Sequence, residues 1–279
     1  MKKLMKKNYL LTSLVAGSII FGTGNALAQY NGNIAGAEAL EPITTSTAIA
    51  NTTLNSDPVI TAILSQPGTY GGHAYTGWSF LVNDGSGSLD VFVSAASLST
   101  LDPGYTPTVG DAISLSGSYA PFHQIPEMET LTAFSKVSSG NSVPSASVFT
   151  IPLLNQNTLP LNEAGYYIEL QNVTISGGGA FSTTFPTYAG GNVSYTITDG
   201  SANSMVLYDW VTSYSTAGNM GGNPVPTGPV DIYGFDSVFG GTSPEFTPTM
   251  IISVPEPTAL SLCGAGGLLA LIFRLRRKV

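Results

Sequence analysis

The chain has 279 residues, enough for one large domain or two small ones at roughly 100–200 residues each, and only 9% of it is charged against about 25% in a typical soluble domain. Its 32 Gly and 18 Pro, with abundant Ser, Thr, Asn, Tyr and Val, suit strands and turns; a helical bundle needs charged wet faces and a disordered chain lacks this many aromatics, so both are excluded. Eight of the nine basic residues lie at the two ends, leaving 16 acidic residues against Lys136 alone from Gln29 to Ser253, a balance of −15, so no nucleic-acid partner is expected.

Residues 1–28 carry Lys2, Lys3, Lys6 and Lys7, an apolar run from Tyr9 to Gly22, and the small residues Ala26 and Ala28 flanking Leu27. A cationic start, a short apolar core and a small-residue cleavage site in that order make a secretory signal peptide, cut by signal peptidase to leave Gln29. The run is shorter than the roughly 20 residues of a spanning helix. Cys263 is the only cysteine, so an exported form carries no disulfide.

Residues 29–56 are rich in Thr, Ala and Asn without periodicity and read as a leader strand or flexible linker. Beyond them, short apolar or alternating runs lie between Gly, Pro, Asn and Asp clusters: Val59–Leu64, Trp78–Val82, Leu89–Val93, Ala112–Tyr119 and Thr130–Val137. That spacing predicts an all-β sandwich or barrel.

The pattern then repeats. Ser79-Phe80-Leu81-Val82-Asn83-Asp84-Gly85-Ser86 is echoed by Ser194-Tyr195-Thr196-Ile197-Thr198-Asp199-Gly200-Ser201, each running into a second strand. Both read as hairpins in which Gly85 and Gly200 supply positive φ. Upstream, Val59–Leu64 matches Tyr167–Ile175. Downstream, Gly110–Gly117 followed by Phe122 and Glu127 matches Gly228–Gly234 followed by Phe239 and Glu245. This layout resembles the OB-fold, and most of all the exported bacterial OB domains that occur in tandem. The resemblance implies two tandem OB-fold-like β-barrels, at 57–146 and 147–253, flanked by an N-terminal signal helix and a C-terminal hydrophobic helix. A jelly roll or immunoglobulin-like sandwich stays open as the alternative.

The C-terminus reads Val254, then Pro255-Glu256-Pro257, then an uncharged Gly- and Leu-rich stretch to Phe273, then Arg274, Arg276, Arg277 and Lys278. On physical grounds this is a membrane anchor with a cytoplasmic basic tail. The three parts together resemble the PEP-CTERM sorting signal of Gram-negative bacteria. That resemblance implies an exosortase as partner, a transient inner-membrane anchor, and a destination at the outer surface or in the extracellular matrix of a biofilm-forming cell.

Chemistry is sparse. His73 and His123 are fifty residues apart with no ligand spacing, so neither a zinc site nor a Ser-His-Asp triad is expected. Glu127 and Glu129 fall on one face of a strand, read as a solvent-facing acidic edge. Asp84–Asp90 places oxygen side chains at alternate positions but lacks the Gly and the bidentate Glu of a calcium loop, so it reads as a turn. No catalytic, metal or cofactor site is expected. Tyr70, Tyr75, Tyr105, Tyr188 and Tyr214 in uncharged loops would suit stacking on sugar rings, with Trp78, Phe122, Tyr208 and Trp210 nearby. The expected function is a non-catalytic, exported surface or matrix protein that binds exopolysaccharide through its OB-like domains; a secreted hydrolase or its accessory subunit is the alternative.

Overall fold

The computed structural model describes residues 30–40, 49–70, 73–122, 125–155, 167–177, 193–209, 223–239 and 243–254. The chain is mostly β. In order it forms β1 (Tyr30–Gly32), α1 (Ile34–Leu40), β2 (Ile49–Leu54), β3 (Val59–Ser65), β4 (Gly68–Tyr70), β5 (His73–Tyr75), β6 (Gly77–Asn83), β7 (Ser88–Ser94), α2 (Ala95–Leu101), β8 (Ala112–Tyr119) and β9 (Glu127–Ser138). A second unit follows with β10 (Ser147–Phe149), α3 (Ile151–Leu154), β11 (Ile168–Gly177), β12 (Val193–Thr198), β13 (Ser204–Asp209), β14 (Val230–Phe239) and β15 (Ser243–Ser253).

Pairing follows one scheme twice. In the first unit it runs β3–β6–β7–β9–β8 and returns to β3 where Val59 faces Ala112. In the second it runs β11–β12–β13–β15–β14 and returns to β11. Each is an OB-like order of first, second, third, fifth and fourth strand. Third and fifth strands pair in parallel in both, Asp90 opposite Glu127 and Val206 opposite Glu245. No described strand of one unit pairs with a strand of the other, which removes the single-sandwich alternative.

Each unit has its own apolar centre. Phe80, Val82, Leu89, Val91, Ile113, Tyr119 and Met128 fill the first; Ile168, Leu170, Tyr195, Ile197, Leu207, Ile232 and Phe246 fill the second. A third cluster joins them, in which Ala62, Leu64, Leu81 and Ile125 of the first unit meet Phe235 and Tyr167 of the second. This explains why β3 reads as a nearly unbroken apolar run, since strands covered on both faces lose alternation. Irregular register between Ile60 and Ala62 lets Ile60 and Ile63 enter the unit core while Ala62 and Leu64 face the seam.

Residues 29–56 are not a flexible linker where they are described. β1 pairs with β2, and β2 pairs with β8, where Thr53 Oγ1 and Ser116 Oγ lie 2.9 Å apart. α1 docks on the β6–β7 turn, its Ile34 N–H donating to Asp84 Oδ2 at 2.8 Å. Tyr30, Ile34, Ala37, Ile49 and Leu54 enter the first unit's core, and the segment's hydrogen bonds run to residues some fifty or more positions away.

The two Asp-Gly turns differ. Gly85 has φ +82°, as expected, but Gly200 does not lie in the positive region; Ala202, with φ +63°, takes that place. In the second turn Asp199 Oδ1 accepts from the Ser201 and Asn203 N–H groups at 2.8 and 2.9 Å, and this wider turn moves the left-handed residue along by two. The expected signal helix, with Ala26 and Ala28, and the sorting segment, with Pro255, Glu256, Pro257, Arg274, Arg276, Arg277 and Lys278, lie outside the described residues. Among the described residues, no helix is long and apolar enough to cross a membrane.

Candidate functional site

The outward faces of the two hairpins are equivalent surfaces with different fates. On β12 and β13, Tyr195, Ile197, Met205 and Leu207 point into the core, so Ser194, Thr196, Ser204, Val206 and Tyr208 point out. Thr174 and Ser176 of β11 extend this face beside Thr198 and Thr196. Most of these side chains are exposed, and Thr174 and Ser176 each donate to a β12 carbonyl. Glu245 borders the face opposite Val206, its carboxyl held above the ordinary range by burial. The surface is thus nearly neutral and lined with hydroxyls able to donate and accept.

On β6 and β7 the corresponding outward residues are Ser79, Leu81, Asp90 and Phe92. Leu81 is covered by the seam cluster under Phe235, while Phe92 stays exposed. Asp90 lies in strand register with Glu127, at 6% and 8% exposure. Ser79 Oγ stands 2.9 Å from each Asp90 oxygen and donates to that carboxyl. Burial raises both carboxyls well above their ordinary range, and the Asp90 and Glu129 charges push Glu127 further. Glu127 is therefore no solvent-facing edge: the parallel pairing of β7 and β9 carries it under cover, and only Glu129 is partly exposed. The signal for this was Asp90, a lone acid inside the apolar run Leu89–Val93.

The Asp84 loop is a turn. Its Oδ1 accepts from Ser86 N, Ser86 Oγ and Gly87 N, and its Oδ2 from Ile34 N and Ser56 Oγ, so its lone pairs are committed to donors. No cluster of three or more metal-ligating side chains occurs among the described residues. Glu38 of α1 lies beneath the same turn, buried, with neither carboxylate oxygen hydrogen-bonded.

Among the described residues, the aromatic side chains Trp78, Tyr75 and Tyr105 lie apart. Tyr105 packs against Phe134 with ring centroids 5.4 Å apart, donates to Asp111 Oδ2 at 3.0 Å, and lies under Lys136 Nζ at 5.7 Å. It forms part of an open hollow of about 670 Å³ that Asp102, Asp111 and Lys136 also line. Trp78 packs on the first core, and Tyr75 is half-buried on β5. Tyr70 and His73 sit on β4 and β5; Tyr188, Tyr214, Trp210 and His123 lie outside the described residues.

No protein-family model matches the sequence, and no curated protein does. Among solved structures the chain is similar to a murine DNA binding protein bound with ds DNA, at 16% identity over 72% of this chain and 98% of that one, with a TM-score of 0.35. It is similar to the Ifi202 HINa domain in complex with 20bp dsDNA at 15% identity over 72% and 94%, with a TM-score of 0.36. A Replication Protein A heterotrimer bound to ssDNA aligns at 13% identity over 81% and 52%, with a TM-score of 0.34. These neighbours are DNA-bound, which runs counter to the expectation of a chain without a nucleic-acid partner and of an exopolysaccharide-binding surface protein; the likeness itself is one of fold alone. That expectation rested on whole-chain charge, which weighs phosphate contacts alone and not contacts to bases or sugars.

Proposed function

We propose that the chain is a non-catalytic binding protein of two OB-like barrels, closed or partly closed, that holds an extended polymer across the β12–β13 face of the second unit. Single-stranded nucleic acid is the ligand class we assign, taken through base edges, sugars and stacking on Tyr208 rather than through phosphates. The observation that carries this reading is the open hydroxyl face formed by Thr174, Ser176, Ser194, Thr196 and Ser204, at the position where OB-folds take ligands. With 16 acids and one base between Gln29 and Ser253, phosphates are repelled and not neutralised, so added salt should leave affinity flat or strengthen it.

Fluorescence anisotropy of a labelled thymidine 12-mer, titrated at about 50 and about 200 mM salt, tests this, since counterion release would weaken binding over that range. Saturable binding that holds or tightens with salt and is lost in Thr196→Glu supports the assignment. Absence of saturation, or affinity that falls steeply with salt, overturns it.

We further propose that the protein is exported and carries a PEP-CTERM-like sorting segment read by an exosortase. The order of Lys2 to Lys7, Ala26 and Ala28 at one end, and of Pro255-Glu256-Pro257 and Arg274 to Lys278 at the other, supports this.

A further inference from the structure

The seam between the units covers part of a surface equivalent to the one assigned to ligand. β6–β7 stands in the first unit where β12–β13 stands in the second, and Leu81 on its outward side packs with Ala62, Leu64 and Ile125 against Phe235 and Tyr167. Beside this apolar contact are two acids. Asp90 is the cross-strand partner of Leu81, and Glu127 is two residues from Ile125 and in register with Asp90.

Two adjacent buried carboxylates cannot both remain charged at modest cost, and no cation is found beside them among the described residues. The groups acting on them are Ser79 from β6 and Glu129 from β9; across the seam, beside Leu81 and Ile125, the second unit brings Tyr167, with Glu169 near it, and Phe235, with Asp236 next to it in the chain. All of these are neutral or acidic. Lys136, the only Lys or Arg between Gln29 and Ser253, is engaged over Tyr105.

We propose that Asp90 and Glu127, each protonated while buried beside the seam, act as a latch, keeping the second unit against the β6–β7 face until the protons are lost, whereupon the units part and the face is uncovered. The direction of both titrations agrees, since burial favours the protonated form of each and the Asp90 and Glu129 charges add to this at Glu127. In the parted state both groups meet water and return toward ordinary carboxyl behaviour, so closing takes up protons. Between the ordinary range and the raised one, opening therefore increases by up to about tenfold per pH unit for each proton released. The ligand the uncovered face would take rests on the function proposed above; the latch does not.

Small-angle scattering of the full chain from about pH 6 to about pH 10, the span over which the raised carboxyls ionise, tests the latch. The radius of gyration should rise with pH in the wild type and stay constant in Asp90→Asn/Glu127→Gln. The wild type gives an independent readout, because the Ala62 and Leu64 methyl resonances should lose the ring-current shift of Phe235 while those of Leu170 and Leu207 hold. Methyl shifts and dimensions that do not respond to pH overturn the proposal, as does opening of the double variant at the same pH. Oligonucleotide binding, read separately through Thr196→Glu, can fail without affecting either result.

Discussion

Gly117 and Gly234 occupy the same place in the two units. Each sits on the fourth strand at a break in register with the fifth, and in each a Cβ would strike backbone of that strand: the Glu129 carbonyl, at 2.6 Å, for Gly117, and the Thr247 carbonyl for Gly234. The match explains why both repeats read as a strand running into Gly. The residue is required by close approach of backbone, not by a turn.

Gly117→Ala and Gly234→Ala should therefore each destabilise their own unit by about 1–3 kcal/mol, as overpacking against rigid backbone does. Urea denaturation of each variant, with resonances from both units followed, should show one transition moved and the other nearly in place. Equal loss in both units would mean that they unfold as one.

The hairpin turns should respond unequally. Gly85→Val forces a β-branched residue to φ +82° and should cost about 1–3 kcal/mol. Gly200→Val, at a residue outside the positive region and with open space around it, should change stability by less than about 0.5 kcal/mol. Ala202→Gly should stabilise the second unit by up to about 1 kcal/mol, since it removes strain at φ +63°. Thermal melts of the three variants decide the order.

Glu38 predicts a slope of stability with pH. It is 7% exposed with both oxygens unpartnered, and burial, then the Asp84 charge, raises its carboxyl to about 8. The folded state thus binds a proton that the unfolded chain releases near its ordinary value, and stability falls as pH rises from the unfolded value to about 8. Glu38→Gln should flatten that slope by an amount on the order of a few kcal/mol across the interval, leaving the part due to Asp90 and Glu127. Denaturation midpoints at about pH 5, 7 and 9 measure it; an unchanged slope in the variant would place the effect elsewhere.

Processing is checked by intact mass. Protein recovered from the outer surface of the producing cell should lack Met1–Ala28 and the basic tail from Arg274 to Val279. A surface form that retains Lys278 would exclude sorting at Pro255–Pro257.

What could be read from sequence followed how locally each feature is encoded. Ala112–Tyr119 alternates cleanly and matches β8 residue for residue, and Asp84-Gly85 and Asp199-Gly200 located both hairpins because a turn is written in adjacent residues. Tyr30 to Leu54 escaped because its partners, Asp84, Ser86 and Ser116, lie some fifty or more residues away. α1 leaning on β7 and α3 leaning on β13 also show that the repeat begins earlier than the strands do. Asp90 resembled the end of a turn and Glu127 a wet edge, since nothing in either neighbourhood reveals a parallel partner. The seam was hidden for the same reason: Phe235 is an ordinary core residue by composition, and only assembly of the two units shows that the core it enters belongs to the other one.

The connection between the units sets how far they can travel. β9 ends at Ser138 and β10 starts at Ser147, and Asn141 is pinned to the first unit, its backbone N–H and Nδ2 both donating to the Gly110 carbonyl at 2.8 and 3.0 Å. Only Ser142 to Ala146 remain as tether, and at about 3.3 Å per residue they reach about 16 Å. So short a leash keeps the halves at an effective concentration in the millimolar range. A contact between them far too weak to assemble two separate molecules would still hold the chain shut, and release would swing it like a hinge without ever losing the other half.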